Sequence, residues 1–144
     1  MRGEALMLFV YGTLLRGEPN HRSLHSARYL GAAKTAPVFR LVDLGSFPAL
    51  LRGGTTAVVG EVFAVDRAIL AACDRLEGHP TFYRREPIAV DVQGAGCMAE
   101  TYVLVRTPDA VREIHGGSWR TYRAGRVPTL PAPPTLPAPP DEDP

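Results

Sequence analysis

Lysine is nearly missing from this 144-residue sequence. Of sixteen Lys and Arg residues only Lys34 is a lysine, and fifteen Asp and Glu residues leave a formal net charge of +1. The arginines are scattered rather than gathered into a stripe, so the chain offers no strong field of one sign and no basic footprint for nucleic acid. Cysteine is almost as scarce. Cys73 falls on the apolar face of an expected helix and Cys97 at the start of an expected strand, positions that suit buried thiols as well as a disulfide, and we read both as reduced and structural. Long apolar runs are also missing: the N-terminal run is about five to seven residues, too short for a signal core or a membrane span. Arg2 and Glu4 precede it. The expected location is therefore the cytoplasm, with no membrane association.

What is present fits one globular domain. A hydrophobic content of 45% with 22% charged residues is ordinary for a chain that buries a core. From Pro128 the composition changes. Thr129 to Pro134 is repeated as Thr135 to Pro140, and Asp141 to Pro144 closes the chain. Prolines favour extended polyproline II and remove backbone donors, so we expect a domain over residues 1–126 and a Pro-rich disordered tail over 127–144. That tail could be offered to a proline-binding module, but a solvated tail is the simpler reading, and no catalysis is placed there.

Leu6 to Val10 is a short continuous apolar run ended by Gly12, the pattern of a buried strand over about 6–11. Asn20 can cap a short helix through about Ala27. Tyr29 to Ala36 and Val38 to Leu44 read as partly exposed strands, and Thr56 to Val65 is the clearest strand after the first. Asp66 caps a helix over 67–76 that Gly78 stops. Tyr83 to Val92 and Cys97 to Arg106 read as a hairpin joined by Gln93 to Gly96. Many strands with few helices favour closure, which hides sheet edges. The expected class is α+β: a small mixed β-barrel flanked by a few helices.

The loop Tyr11-Gly12-Thr13-Leu14 can present several backbone N–H groups, an anion cradle. Taken alone it is a common strand-ending turn. Glu77 ends the helix, where the partial negative charge of the helix C-terminus disfavours a carboxylate and raises its pKa. Glu61 is a rival acid, sharing an alternating face with Val59, Phe63 and Val65. His21 and His25 stand at i and i+4, a metal-ligand spacing without a third ligand, so we expect a solvated helix face and no metal. Neither His79 nor His115 can be placed beside Cys73 as a nucleophilic pair.

Taken together these pieces resemble the gamma-glutamylcyclotransferase-like, AIG2-like family, most closely its gamma-glutamylamine cyclotransferase branch. The resemblance rests on Phe9 to Leu14 with Arg16-Gly17 and Pro19-Asn20-His21 behind it, on Gly60 to Asp66, on Leu76-Glu77-Gly78 and on Tyr83-Arg84-Arg85. It extends over about 6–122 through Gly116 to Tyr122, similar to a Gly-Asp-Trp-Arg element, with Ser118 where an aspartate is usual. The resemblance implies release of a gamma-glutamyl group as 5-oxoproline, without cofactor or metal. It assigns Tyr11, Gly12, Thr13 and Leu14 to substrate binding and Glu77 to acid and base catalysis. Tyr83 and Tyr102 are added as candidates for lining the pocket or donating to substrate, although tyrosines in strands are commonly core.

The chemistry suits these residue types. In a gamma-glutamyl compound the α-amine can attack its own γ-carbonyl, so the protein need only fold the substrate and move protons. The loop N–H groups could meet either the α-carboxylate or the developing oxyanion. The expected partner is a small gamma-glutamyl amine or amino acid, its amine received by loops around Gly45 to Pro48, His79 to Phe82 and the region after Arg106; oligomeric state and the identity of the leaving amine are not legible. Two other readings share the site: a non-catalytic module that binds a gamma-glutamyl or other anionic metabolite, and hydrolysis by a water activated at Glu77, which would yield free glutamate.

Overall fold

The computed structural model describes residues 6–126. The proposed tail, and so the domain boundary drawn at 126, lies outside them. Eight strands and two helices follow one another: β1 (Leu6–Val10), β2 (Arg28–Thr35), β3 (Phe39–Asp43), β4 (Pro48–Arg52), β5 (Val59–Val65), α1 (Arg67–Glu77), β6 (Tyr83–Val92), β7 (Ala95–Leu104), β8 (Arg112–Glu113) and α2 (Trp119–Arg126). A 3₁₀ turn, His21–Leu24, sits between β1 and β2.

The strand order β1-β5-β2-β6-β7 returns to β1 through a parallel pairing at Leu8 and Glu100, closing a five-stranded mixed barrel. One edge of β7 is taken by β6 along its length. The other edge is shared: β1 holds it at Glu100, and β4 takes over at Val103, paired with Leu50, carrying β3 and β8 beyond it. The chain leaves β1 at the place where this edge passes from β1 to β4, and the Tyr11 to Leu14 loop begins there.

β1 reads as continuous apolar sequence because both its faces are covered, as in strands buried on two sides. Leu8 and Val10 pack with Leu70 and Cys73 of α1, and Phe9 and Tyr11 join the cluster of Val62, Ile88, Ala99 and Trp119. The expected barrel with flanking helices is the fold observed.

Local differences have local causes. Asn20 does not cap a helix through its side chain; the expected helix to Ala27 is one 3₁₀ turn, because that side chain is engaged with Thr13 instead. The expected four-residue turn over 93–96 is a two-residue turn. Gln93 (φ 53°) and Gly94 (φ 94°) both take positive φ, the primed geometry that matches strand twist, so β7 starts at Ala95. Val59 is exposed rather than sharing a buried face with Phe63 and Val65. Cys73 and Cys97 are free thiols, the first buried and the second partly so. No helix of the described residues is long and apolar enough to cross a membrane.

Candidate functional site

α1 delivers two carboxylates to the core side. Asp66 accepts from Ile69 N–H at 2.8 Å and starts the helix. Gly78 ends it in the left-handed region (φ 69°, ψ 35°). Gly78 N–H donates to Arg75 O at 3.2 Å and His79 N–H to Asp74 O at 2.9 Å, the paired bonds of a Schellman cap. Leu70, Cys73, Asp74 and Glu77 recur at helical spacing on one face. Since Leu70 and Cys73 are buried against β1, the same face carries Asp74 and Glu77 toward the barrel.

The loop after β1 is held from several sides. Tyr11 Oη donates to Tyr102 O at 2.6 Å and accepts from Leu50 N–H at 3.1 Å, bridging β7 and β4 where the edge is shared. Asn20 Nδ2 donates to Thr13 Oγ1 at 3.0 Å, and Asn20 N–H to Thr13 O at 2.9 Å. His21 Nδ1 lies 2.9 Å from Leu14 O; a carbonyl only accepts, so Nδ1 carries the hydrogen. Gly12 is required for space rather than for φ, since a Cβ there would sit 2.7 Å from Pro48 Cγ. Among the described residues the N–H groups of Gly12, Thr13 and Leu14 have no backbone acceptor.

Loop and helix end meet at a cavity of about 250 Å³. Tyr11, Gly12, Thr13, Leu14, Glu77, Tyr83 and Tyr102 all line it, so the residues preferred in the sequence for binding and catalysis fall on one surface. Burial pushes the Glu77 carboxyl up to about 7. Arg75 and Arg84, which would oppose that shift if they pointed inward, are exposed, and Arg84 pairs with Glu86. The tyrosine hydroxyl hydrogens are already committed: Tyr83 Oη donates to Pro48 O at 2.7 Å and Tyr102 Oη to Asp74 Oδ1 at 2.7 Å. Each hydroxyl oxygen can still accept, but neither is set to donate to a ligand without giving up its present partner. Burial raises the pKa of both tyrosines, with the Glu77 charge adding to it at Tyr83 and chiefly the Asp74 hydrogen bond and charge at Tyr102, so both stay neutral.

Two features of the site escaped the sequence reading. Asp74 is gripped by Arg85, whose Nε and Nη2 reach its two oxygens at 2.8 and 3.1 Å, while Arg85 Nη1 reaches Glu100 Oε1 at 3.0 Å. Burial alone would raise the Asp74 pKa; the hydrogen bonds from Arg85 and Tyr102, with the Arg85 charge, outweigh it and hold the carboxyl below its usual range. Its place one helical turn before Glu77 was the available signal. Asn20 lines the cavity and ties the loop, a role hidden by its suitability as a cap. Phe47 and Pro48, with Phe82, come from two of the loops expected to receive the leaving amine and complete the apolar wall with Leu76; among the described residues, none after Arg106 lines the cavity.

The rival groups lie elsewhere. Glu61 is 3% exposed and is neutralised by Arg16 and Arg120, each at 3.3 Å. His25 Nδ1 bonds Arg22 O, and His79 Nδ1 accepts from Arg85 N–H at 2.9 Å. Cys73 is pushed up to about 11 by burial, with Glu77 and Asp74 adding to it, and is an inert thiol at neutral pH. Among the described residues no three His, Cys, Asp or Glu side chains converge as a metal site.

The family model described as gamma-glutamyl cyclotransferase, AIG2-like, matches residues 8–121. A Drosophila melanogaster protein named "Putative gamma-glutamylcyclotransferase" is 45% identical, the match covering 89% of this chain and 92% of that one. Human gamma-glutamylaminecyclotransferase is 39% identical over 95 residues, 60% of this chain and 62% of the human protein. The crystal structure of a mouse AIG2-like protein superposes with a TM-score of 0.68 at 32% identity, covering 74% of this chain and 82% of that one. The barrel is thus a fold shared with a solved AIG2-like protein, and the chain belongs to the gamma-glutamyl cyclotransferase, AIG2-like family.

Proposed function

We propose that this protein converts a gamma-glutamyl amine or gamma-glutamyl amino acid to 5-oxoproline and the free amine, with Glu77 as the proton carrier. The observation that carries the reading is a carboxyl raised to about 7 inside the same cavity as three N–H groups without backbone acceptors. Ionised Glu77 takes a proton from the substrate α-ammonium, and the neutral nitrogen attacks the γ-carbonyl carbon. The carbonyl becomes an oxyanion, the bond to the leaving nitrogen breaks, and the lactam closes. Two protons leave the attacking nitrogen over the reaction. Glu77 carries them one at a time toward the departing nitrogen, so the carboxyl ends as it began.

A carboxyl with pKa near 7 is suited to this double duty, because it accepts and releases protons with little penalty at neutral pH. Folding the substrate can supply on the order of 7–11 kcal/mol, part of it intrinsic to an intramolecular attack. A loop N–H aimed at the oxyanion supplies about 3 kcal/mol more. In this reading Tyr83 and Tyr102 wall the site and offer lone pairs, not hydrogens, to the α-ammonium. Activity is assigned to residues 1–126, and truncation after Arg126 is expected to leave turnover intact.

The test is incubation of purified protein with gamma-glutamyl amines, gamma-glutamyl amino acids and glutathione, with products read by mass spectrometry. The reading requires 5-oxoproline that disappears in Glu77→Gln. Free glutamate in its place would mean hydrolysis, and binding without product would mean a metabolite-binding module.

A further inference from the structure

The cavity has a polar interior and an apolar mouth, and the mouth says what kind of amine leaves. Of the lining residues, Leu76 and Phe82 are 45% and 47% exposed, which places them at the opening. Phe82 is the middle ring of a ladder. It meets Phe47 edge to face at 6.2 Å and Tyr83 at 4.9 Å, with interplanar angles of 75° and 89°. Large apolar side chains half in water beside a cavity mark a surface that gains by being covered. A flat ring inserted there adds another offset or edge contact to the ladder.

Charge is the second, separate observation. Glu77 is the only charged side chain lining the cavity among the described residues, and no Arg or Lys lines it. Arg85 is tied to Asp74 and Glu100, and Arg84 to Glu86. A leaving amino acid would bring a second carboxylate, while the loop N–H groups serve the gamma-glutamyl head. That carboxylate would meet rings, Leu76 and the like charge of Glu77. A desolvated carboxylate without a cationic or N–H partner is strongly disfavoured.

We infer that the amine released by this protein is apolar, aromatic by preference, and carries no carboxylate; the inference rests on the cyclotransferase reading above. The ladder Phe47, Phe82 and Tyr83 receives the ring, and the missing cation at the mouth rejects the amino acid.

Three compounds separate the elements of the claim: gamma-glutamyl-phenethylamine, gamma-glutamyl-phenylalanine, which differs only by the carboxylate, and gamma-glutamyl-ethylamine, which lacks the ring. Wild-type kcat/KM is expected to favour the phenethylamine compound over each of the others by at least about tenfold, the scale on which an apolar pocket discriminates. In Phe82→Ala the ratio of phenethylamine to ethylamine turnover falls by about the same factor. A ratio within one preparation is insensitive to a misfolded fraction. Equal or better turnover of gamma-glutamyl-phenylalanine overturns the exclusion of carboxylate, and equal turnover of the ethylamine compound overturns the aromatic preference. Affinities of the three compounds for Glu77→Gln, by calorimetry, keep the two proposals apart. If no compound yields 5-oxoproline, the cyclotransferase reading fails and the statement about a released amine with it; tighter binding of the phenethylamine than of the ethylamine compound then upholds only the aromatic preference of the mouth, and the reverse order, or no binding, overturns that too.

Discussion

Glu77 is held where it weakens the fold. Its carboxyl is raised to about 7 by burial, whereas in the unfolded chain it titrates near 4.5. The native state therefore binds the proton more tightly, and its stability falls as pH rises from about 4.5 to about 7 and is flat above. The cost at alkaline pH is of order 3 kcal/mol before discounting for solvent at the cavity mouth. Glu77→Gln is accordingly expected to raise the denaturation midpoint at about pH 8 and to leave it unchanged at about pH 4, while abolishing turnover. A Gln variant destabilised at alkaline pH would contradict the burial argument. Gly12 is the second sensitive residue. Gly12→Ala drives a methyl into Pro48, 2.7 Å away, and must displace the loop or the cavity wall. Misplacement on that scale is expected to cost on the order of a hundredfold in kcat/KM, measured on whichever substrate turns over best.

At the scale of elements, α1 and β7 are joined by side chains that the sequence could not pair. Tyr102 and Asp74 are 28 positions apart and Asp74 and Arg85 are 11 apart, and only the closed barrel brings the three together. Glu77 and the Tyr11 to Leu14 loop were picked out through the family resemblance, whose motifs are local: a glycine-stopped helix end and a glycine after an apolar strand, each a common turn when taken alone. Asp74 shares that helix face, yet an acid one turn from the end looks solvated until its partners are known. The α2 helix escaped for a similar reason. Its start carries Ser118, which accepts from Thr121 N–H at 3.2 Å, but nothing local says that Trp119 is buried. Asp74→Asn is expected to cost about 1–3 kcal/mol at neutral pH by weakening the Arg85 grip. Because the native Asp74 pKa is depressed, that contribution is present above the unfolded pKa and is lost as pH falls through the lower native one. Urea denaturation of both proteins at neutral and at acid pH measures the gap, which should close in acid.

For the whole molecule, the arrangement explains why the barrel closes unevenly. β7 needs one edge for two strands, and the gap between β1 and β4 is bridged by the Tyr11 hydroxyl. The Tyr11 to Leu14 loop emerges from that gap, so strand topology places it opposite the end of α1. The α2 helix then ties the segment after the loop to the body of the protein. Arg123 Nη2 reaches Glu18 Oε2 at 2.8 Å, Arg120 Nη1 reaches Glu61 Oε2 at 3.3 Å, and Arg120 also donates to Arg16 O. Trp119, 1% exposed, anchors α2 in the barrel cluster. Trp119→Ala is expected to lower unfolding free energy by about 3–5 kcal/mol in a denaturant titration. The barrel class followed from counting strands against helices, but the five-strand closure and the shared edge depend on pairings between distant segments, which periodicity does not encode.

The most direct test of the central claim is 5-oxoproline release by the wild type and by Glu77→Gln between about pH 5 and 9, a range that brackets the raised carboxyl. The account predicts a wild-type kcat/KM that climbs through about pH 7 and then levels as Glu77 ionises, with no product from the Gln variant at any pH. A Gln variant that releases 5-oxoproline with the wild-type pH profile would contradict it.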